Sequence, residues 1–516
     1  MRYISTRGLP GDPELGFWDI LLEGLAPDGG LYLPREYPQV GELLGTWRAL
    51  LDQQGYAALA HAVLSLYIDD IPSDDLRELC ERAYNGSVFS DPAIVPVTDL
   101  GDGLKLAHLW HGPTLAFKDM ALQCMPLFFS QALEQAYAAS GTDLDFLVLV
   151  ATSGDTGVAA LNGFADRAHT KICVYYPDAG VSALQELQMV TQPGDNLHVF
   201  RLAGDFDDCQ SSIKAVFDDR AFADELATTH RLALSSANSI NWGRLMPQIV
   251  YYLSAYADLV AAGEVTDGQP VDVCVPTGNF GNILAGYYAK CMGAPIRRFL
   301  CASNANRVLA DFLESGVYDI ASRRLMKTPS PSMDILISSN LERLLYHLTE
   351  DPQRVAAWLG ELKEHGRFAV DAATRDKLAT EFVGSWVDNA TCLETIGRVY
   401  RECGYLLDPH TAVAWKVAED CGSADTPLLV VSTAHWSKFA ADVVRGLEGI
   451  APGEPLSGGG ADIALLDRVC DLVPEAVVPP QLEAVRSRPR RFRDRVDRGR
   501  EAVEVSLRQW LAGSRR

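Results

Sequence analysis

From about residue 144 the chain alternates apolar, β-branched runs with amphipathic stretches, each pair joined by a turn of Gly, Asp or Ser. DFLVLVA at 145–151 leads into TSGDTGVAALNGFA, KICVYYP at 171–177 into VSALQELQMV, and LHVFRLA at 197–203 into the stretch from Asp205 to Asp219. An unbroken apolar run followed by a helical period marks a buried parallel strand and its crossover helix. Three such units in succession predict an open, mostly parallel sheet with helices on both faces. The alternation resumes with VDVCVP at 271–276 and returns at PLLVVS, 427–432, so a second sheet of the same kind is expected.

Elsewhere the period is helical. Residues 1–95 carry FWDILLEGL and YAALAHAVLSLYI around a DGGLYLP turn and read as an N-terminal extension. ERLLYHL, VAAWLGELKEHG and ATRDKLATEFVG mark a helical insertion near 340–420. The expected division is the extension at 1–95, a large domain from 96–120 and 236–516 that carries the insertion, and a small α/β domain at 121–235. The chain's 516 residues exceed the ~250–300 at which a single core stops growing, which fits several domains.

A net charge of −23 supports solubility and works against binding nucleic acid or anionic membrane surfaces. Arg486–Arg500 (RSRPRRFRDRVDRGR) is basic, but acids are interleaved and a helical EAVEVSLRQWL follows, so it reads as a packed tail or solvated face. No apolar run is long enough for a membrane span, and the N-terminus lacks a signal peptide's apolar core, so a cytoplasmic location is expected. The 11 cysteines are scattered without C-x-x-C, which suggests neither a metal site nor a disulfide framework.

Three places share one design, an apolar strand ending in a Gly/Ser/Thr/Asn-rich turn that opens a helix: TSGDTG at 152–157, PTGNFGN at 276–282 and STAHWSKF at 432–439. The first N–H groups of such helices lack partners and bind anions, and in open α/β sheets these turns gather at the carboxyl edge. PTGNFGN is the best phosphate cradle, since Gly278 and Gly281 permit close backbone approach. The same pattern also serves as a plain strand-to-helix turn. A fourth place, HLWHGPTLAFKDMALQ at 108–123, sets Lys118 in an apolar stretch where Thr114 is positioned to cap a helix from Leu115. Such a lysine either reaches solvent or pairs with Asp119, or burial lowers its pKa and makes it a nucleophile.

With these four segments in this order, the chain resembles the threonine synthase family, fold-type II pyridoxal-phosphate enzymes, in its longer bacterial and fungal form. HGPTLAFKD is similar to the family's cofactor-lysine motif, SGDTG and GNFGN to its glycine turns, and STAHWSKF to its C-terminal threonine segment. GLAPDGGLYLP, SSANSINWGRLMPQ (235–248) and SPSMDILISSN (330–340) extend the likeness over nearly the whole chain. The resemblance implies a fold-type II α/β architecture, two open sheets flanked by helices plus the N-terminal extension.

It further implies pyridoxal 5′-phosphate held by Lys118 as a Schiff base, with the backbone of Gly278, Asn279, Phe280, Gly281 and Asn282 cradling the phosphate and Thr433 at the pyridine nitrogen. Asp155 stands where many relatives carry Asn beside the cofactor 3′-hydroxyl, which leaves its role open. The implied substrate is O-phospho-L-homoserine, its phosphate met by Ser239, Asn241 and Arg244 and its carboxylate by Ser153, Gly154 and Thr156. The implied reaction is γ-elimination of phosphate and β-addition of water to give threonine. A phospho-lyase giving 2-oxobutyrate, a dehydratase, a cysteine- or tryptophan-type synthase and a catalytically silent cofactor-binding protein remain alternatives on the same scaffold. Oligomeric state cannot be read.

Overall fold

The computed structural model describes residues 1–8, 11–101, 103–140, 144–178, 180–456 and 462–513. The larger of its two principal sheets orders six strands as Phe382–Trp386, Ile296–Ser303, Val271–Pro276, Leu428–Ser432, Leu104–His108 and Val97–Asp99. All neighbours run parallel except the last pair. Strands Val271–Pro276 and Leu428–Ser432 are buried at every residue, which is why their sequences run apolar instead of alternating. Asp272 is the exception in kind: fully buried, it is held by Arg297 at 2.5 Å and Arg298 at 3.0 Å.

The smaller sheet orders Arg495–Val496, Leu197–Leu202, Thr170–Pro177, Asp145–Ala151 and Leu232–Ser236, all parallel. The insertion near 340–420, expected within the large domain as helices, also contributes the edge strand Phe382–Trp386 to the large sheet. One piece departs from the expected division. Within the segment 236–516 expected in the large domain, strand Arg495–Val496 and helix Arg500–Gly513 instead join the small sheet, where Val503, Leu507 and Leu511 share a core with Leu147, Phe200 and Ile213.

That placement also accounts for the basic tail, because its arginines meet acids of the small sheet and its helices. Arg495 pairs with Asp178 and Arg500 with Asp219, while Arg491 donates to the Gln192 and Gly194 carbonyls; in the helix that follows, Arg508 pairs with Glu225. Among the described residues no helix is long and apolar enough to cross a membrane.

The N-terminal extension is a two-stranded hairpin, Tyr3–Ser5 with Tyr32–Pro34, and helices Phe17–Glu23, Leu44–Gln54, Tyr56–Leu64 and Ser73–Ala83. Polar contacts fasten it to the rest at several points, among them Val40 N to Met292 O and Asn241 Nδ2 to Leu21 O, and most densely around Glu342 and Arg343. Glu342 takes Arg7 and Thr6, and the fully buried Arg343 donates to Tyr32 O (2.8 Å) and Asn340 Oδ1 (2.5 Å).

Candidate active site

The carboxyl ends of four strands converge on one cavity of about 80 Å³. Strand Leu104–His108 runs on into the Lys118 stretch, which is tied to the turn after Leu428–Ser432 by Leu109 N to Ser432 O (2.9 Å), Phe117 N to Thr433 O (2.8 Å) and His435 N to Leu115 O (3.1 Å). Thr114 does not cap a helix at Leu115. Leu115 has φ 63°, the helix spans Asp119–Leu122, and Thr114 donates through N and Oγ1 to the Asp119 carboxylate at 2.8 and 2.7 Å. Burial pushes the Asp119 carboxyl up to about 6 against those bonds. Asp119 is thereby turned away from Lys118.

Lys118 Nζ faces Asp155 Oδ2 across 3.6 Å. Burial lowers its pKa to about 8, with Asp155 opposing and the Arg244 and Lys438 cations assisting. Asp155 opens helix Asp155–Phe164 after strand Asp145–Ala151. Its Oδ1 takes Lys438 Nζ at 2.9 Å and Gln185 Nε2 at 2.8 Å, and its Oδ2 takes Ser332 Oγ at 3.1 Å. Burial alone would raise this carboxyl, yet Lys438 and Lys118 hold it far below the usual carboxylate range. Asp155 is thus clasped between Lys438 and Lys118, with Gln185 and Ser332 completing its contacts.

The 276–282 turn has the features of a phosphate cradle. Phe280 adopts the left-handed conformation (φ 62°) and precedes helix Gly281–Cys291 without offering a side-chain cap, a strained residue at a helix start whose N–H groups are left for a ligand. A Cβ on Gly278 would lie 2.9 Å from Ser332 O and 3.1 Å from Met333 Cα, whereas one on Gly281 would meet only Asn340 Nδ2 at 3.4 Å. Asn282 accepts the Tyr251 and Tyr252 hydroxyls on Oδ1, both at 2.6 Å, and its buried Nδ2 has no partner. A buried donor without an acceptor is costly, and a bound phosphate satisfies it, so the residues present fit pyridoxal phosphate.

Arg244 is the second such group. It is buried in the helix Trp242–Leu245, its Nη1 donates to Ala237 O at 2.5 Å, its Nε has no partner, and burial lowers its pKa to about 10. No carboxylate among the described residues pairs with it.

Of the residues expected from sequence, Lys118, Asp155, Thr156, Ser239, Arg244, Gly278, Asn279, Phe280, Gly281, Asn282 and Thr433 line the cavity. Ser153 and Gly154 lie in the turn beside it and are not among the lining residues; a Cβ on Gly154, at φ 136°, would collide with Gln185 at 2.5 Å. Asn241 is not free to bind a ligand. It caps helix Trp242–Leu245, accepting from Gly243 N and donating to the Leu21 and Ser236 carbonyls.

Four residues were missed: Lys438, Gln185, Ser332 and His410. His410 accepts from Ser332 N on Nε2 (3.2 Å), so its proton sits on Nδ1 and is donated to Asp408 at 2.8 Å. Ser332 thus bridges His410 and Asp155. Lys438 and Ser332 carried a signal only through the STAHWSKF and SPSMDILISSN stretches that hold them.

Residues 98–433 match the pyridoxal-phosphate dependent enzyme family, with the threonine synthase N terminus matched at 2–84 and the threonine synthase C-terminal region at 411–505. Over 461 residues, 86% of the chain, it is 43% identical to threonine synthase-like 1 of Pongo abelii, and it spans 61% of that protein's length. It is 40% identical over 462 residues to threonine synthase of Corynebacterium glutamicum, covering 88% of this chain and 92% of that one. The crystal structure of pyridoxal-phosphate-bound threonine synthase from Brucella melitensis superposes with a TM-score of 0.81 over 99% of both chains at 37% identity. The chain accordingly belongs to the threonine synthase family of pyridoxal-phosphate-dependent enzymes.

Proposed function

We propose that the chain is a threonine synthase, converting O-phospho-L-homoserine and water to L-threonine and phosphate. The observation that carries this reading is Arg244, a buried guanidinium with no acidic partner and no acceptor for its Nε among the described residues, in the same cavity as Lys118 and the phosphate-type turn. Two separate anion-binding features in one cavity suit a phosphorylated cofactor together with a phosphorylated substrate. Bound pyridoxal phosphate supplies the electron sink that makes the substrate's Cα proton acidic.

The chain's own residues do the rest. In the resting enzyme Lys118 holds the cofactor; displaced by substrate, its amine is the base nearest Cα. An amine whose pKa lies near 8 both takes and returns protons close to neutral pH. It removes the Cα proton and then one from Cβ, which lets the γ-phosphate leave toward Arg244. Lys118 returns one of these protons to Cγ, water adds its hydroxyl at Cβ and gives its remaining proton to the departing phosphate, and the second proton goes back to Cα to complete threonine. Asp155, kept ionised, accepts and does not donate, so it acts on Lys118 and not as an acid. Thr433, which lines the cavity, would offer a hydroxyl to the pyridine nitrogen of a bound cofactor, a partner that would favour elimination and replacement over transamination. Gly278 to Asn282 bind the cofactor phosphate, Ser239 and Arg244 the substrate phosphate, and the helix start at Thr156 the substrate carboxylate.

The test is phosphate release from O-phospho-L-homoserine by native enzyme and Arg244→Ala, with cofactor content measured alongside. Turnover is expected to fall by at least the factor of roughly ten or more that losing a charge-assisted contact of about 1.5–3 kcal/mol implies, at unchanged cofactor content. Native-like turnover in the variant contradicts the reading.

A further inference from the structure

We propose that Lys438 is a positioning residue that commits the Asp155 carboxylate to itself and so sets how strongly Lys118 holds a proton. The proposal rests on the reading of Lys118 as the cofactor lysine. Lys438 belongs to the short helix Trp436–Phe439 beyond the large sheet, and its side chain has no exposed surface. All its polar contacts are internal: Asp155 Oδ1 at 2.9 Å, Thr114 O at 2.7 Å and Gln188 Oε1 at 3.4 Å. Asp155 and Gln188 come from helices of the small sheet, so one ammonium spans the cleft between the sheets and grips the carboxylate next to Lys118.

A fully buried lysine is an expensive way to fill space, since a charge out of water is tolerated only with a partner and full hydrogen bonding. Lys438 meets both conditions, and its partner has a second lysine within reach. The two ammonium groups share one carboxylate on opposite oxygens, Lys438 at 2.9 Å on Oδ1 and Lys118 at 3.6 Å on Oδ2. The Lys438 charge repels a proton on Lys118 and holds the carboxylate by Oδ1, which keeps Oδ2 at 3.6 Å and leaves Lys118 easier to deprotonate.

The other groups facing Lys118 do not replace this effect. Arg244, from helix Trp242–Leu245, adds a second positive charge. Asp119 is turned to Thr114, and His410 is held one hydrogen bond away behind Ser332. Phe117 lies under Nζ at 4.5 Å and contributes no formal charge. Asp155 is therefore the anion in direct reach of Lys118, and Lys438 controls how much of it is available.

Removing the Lys438 charge deletes a repulsion and releases the carboxylate, and both changes favour protonation at Lys118. The test is a pH titration of the visible absorbance of full-length holoenzyme. In Lys438→Met, and in Lys438→Gln, which keeps a polar donor, the midpoint is expected to move up by on the order of one pH unit, equivalent to tenfold in proton affinity. Lys438→Arg is expected to return it toward the native position, and Asp155→Asn to move it down.

A residue that only fills space gives the native midpoint in both neutral variants, and that result overturns the proposal. Should neither neutral variant fold, Asp155→Asn and the paired variant Asp155→Asn/Lys438→Met, which leaves no unmatched charge between the two residues, decide: a higher midpoint in the paired variant supports the proposal and equal midpoints overturn it. Borohydride reduction and peptide mapping of each variant separate the two readings. A label on Lys118 with an unmoved midpoint refutes the role of Lys438 alone, whereas a label on another lysine refutes the cofactor assignment and this proposal with it.

Discussion

Lys118 Nζ stands 3.6 Å from Asp155 Oδ2, close enough for strong Coulomb attraction and too far for a good hydrogen bond. The amine is thus paired without being locked. That suits the role proposed for Lys118, first holding a cofactor and then moving protons, and it sets the Asp155 carboxylate at the centre of the cluster.

Asp155→Asn is expected to destabilise the protein by about 3–5 kcal/mol near neutral pH, because it leaves buried lysines without their anion. The sign with pH follows from the depressed carboxyl. Its folded pKa lies below its unfolded value, so its contribution is complete above about pH 4 and is lost as pH falls toward the folded value. Denaturant midpoints measured across pH should show the gap between native and variant widest near neutrality and shrinking below about pH 4. A gap that grows on acidification contradicts the clasp.

Gly278→Ala and Gly281→Ala separate two glycines that look equivalent in sequence. The Gly278 Cβ meets backbone at 2.9 and 3.1 Å and cannot be housed without moving the Ser332–Met333 segment, while the Gly281 Cβ makes ordinary contact at 3.4 Å. Denaturant midpoints of the cofactor-free protein should fall for Gly278→Ala and stay near the native value for Gly281→Ala. Equal losses contradict the steric account.

The sequence conveyed the sheets, the turns and Lys118 because each is a local signal, an apolar run, a glycine turn or a lysine in an apolar setting. What it did not convey is long-range. Strand Arg495–Val496 has two residues and no period of its own, and only its pairing with Leu197–Leu202 makes it a strand. Asn241 has the right chemistry for a phosphate donor but spends it on the Leu21 and Ser236 carbonyls, a contact 220 residues away in the first case. Lys438 reads as a surface cation until Asp155 and Thr114 are seen around it. Ser332 and His410 matter through each other, and spacing does not reveal that.

Thr433→Val is expected to weaken cofactor retention and slow turnover while the fold persists. Thr433 lines the cavity and its carbonyl is already used by Phe117 N, so the substitution removes only the hydroxyl. A lost hydrogen bond to a buried acceptor amounts to about 1–3 kcal/mol, or roughly one to two decades in affinity or rate. Unchanged cofactor affinity and turnover would remove Thr433 from the site.

The central claim is the reaction itself, and the most direct measurement is the stoichiometry of products. Holoenzyme incubated with O-phospho-L-homoserine is assayed for phosphate, threonine and 2-oxobutyrate in the same sample. The cleft must hold one water at Cβ and keep bulk water from the cofactor-bound carbon for threonine to form. The expected result is one threonine per phosphate with no 2-oxobutyrate; 2-oxobutyrate matching phosphate, without threonine, contradicts the synthase account.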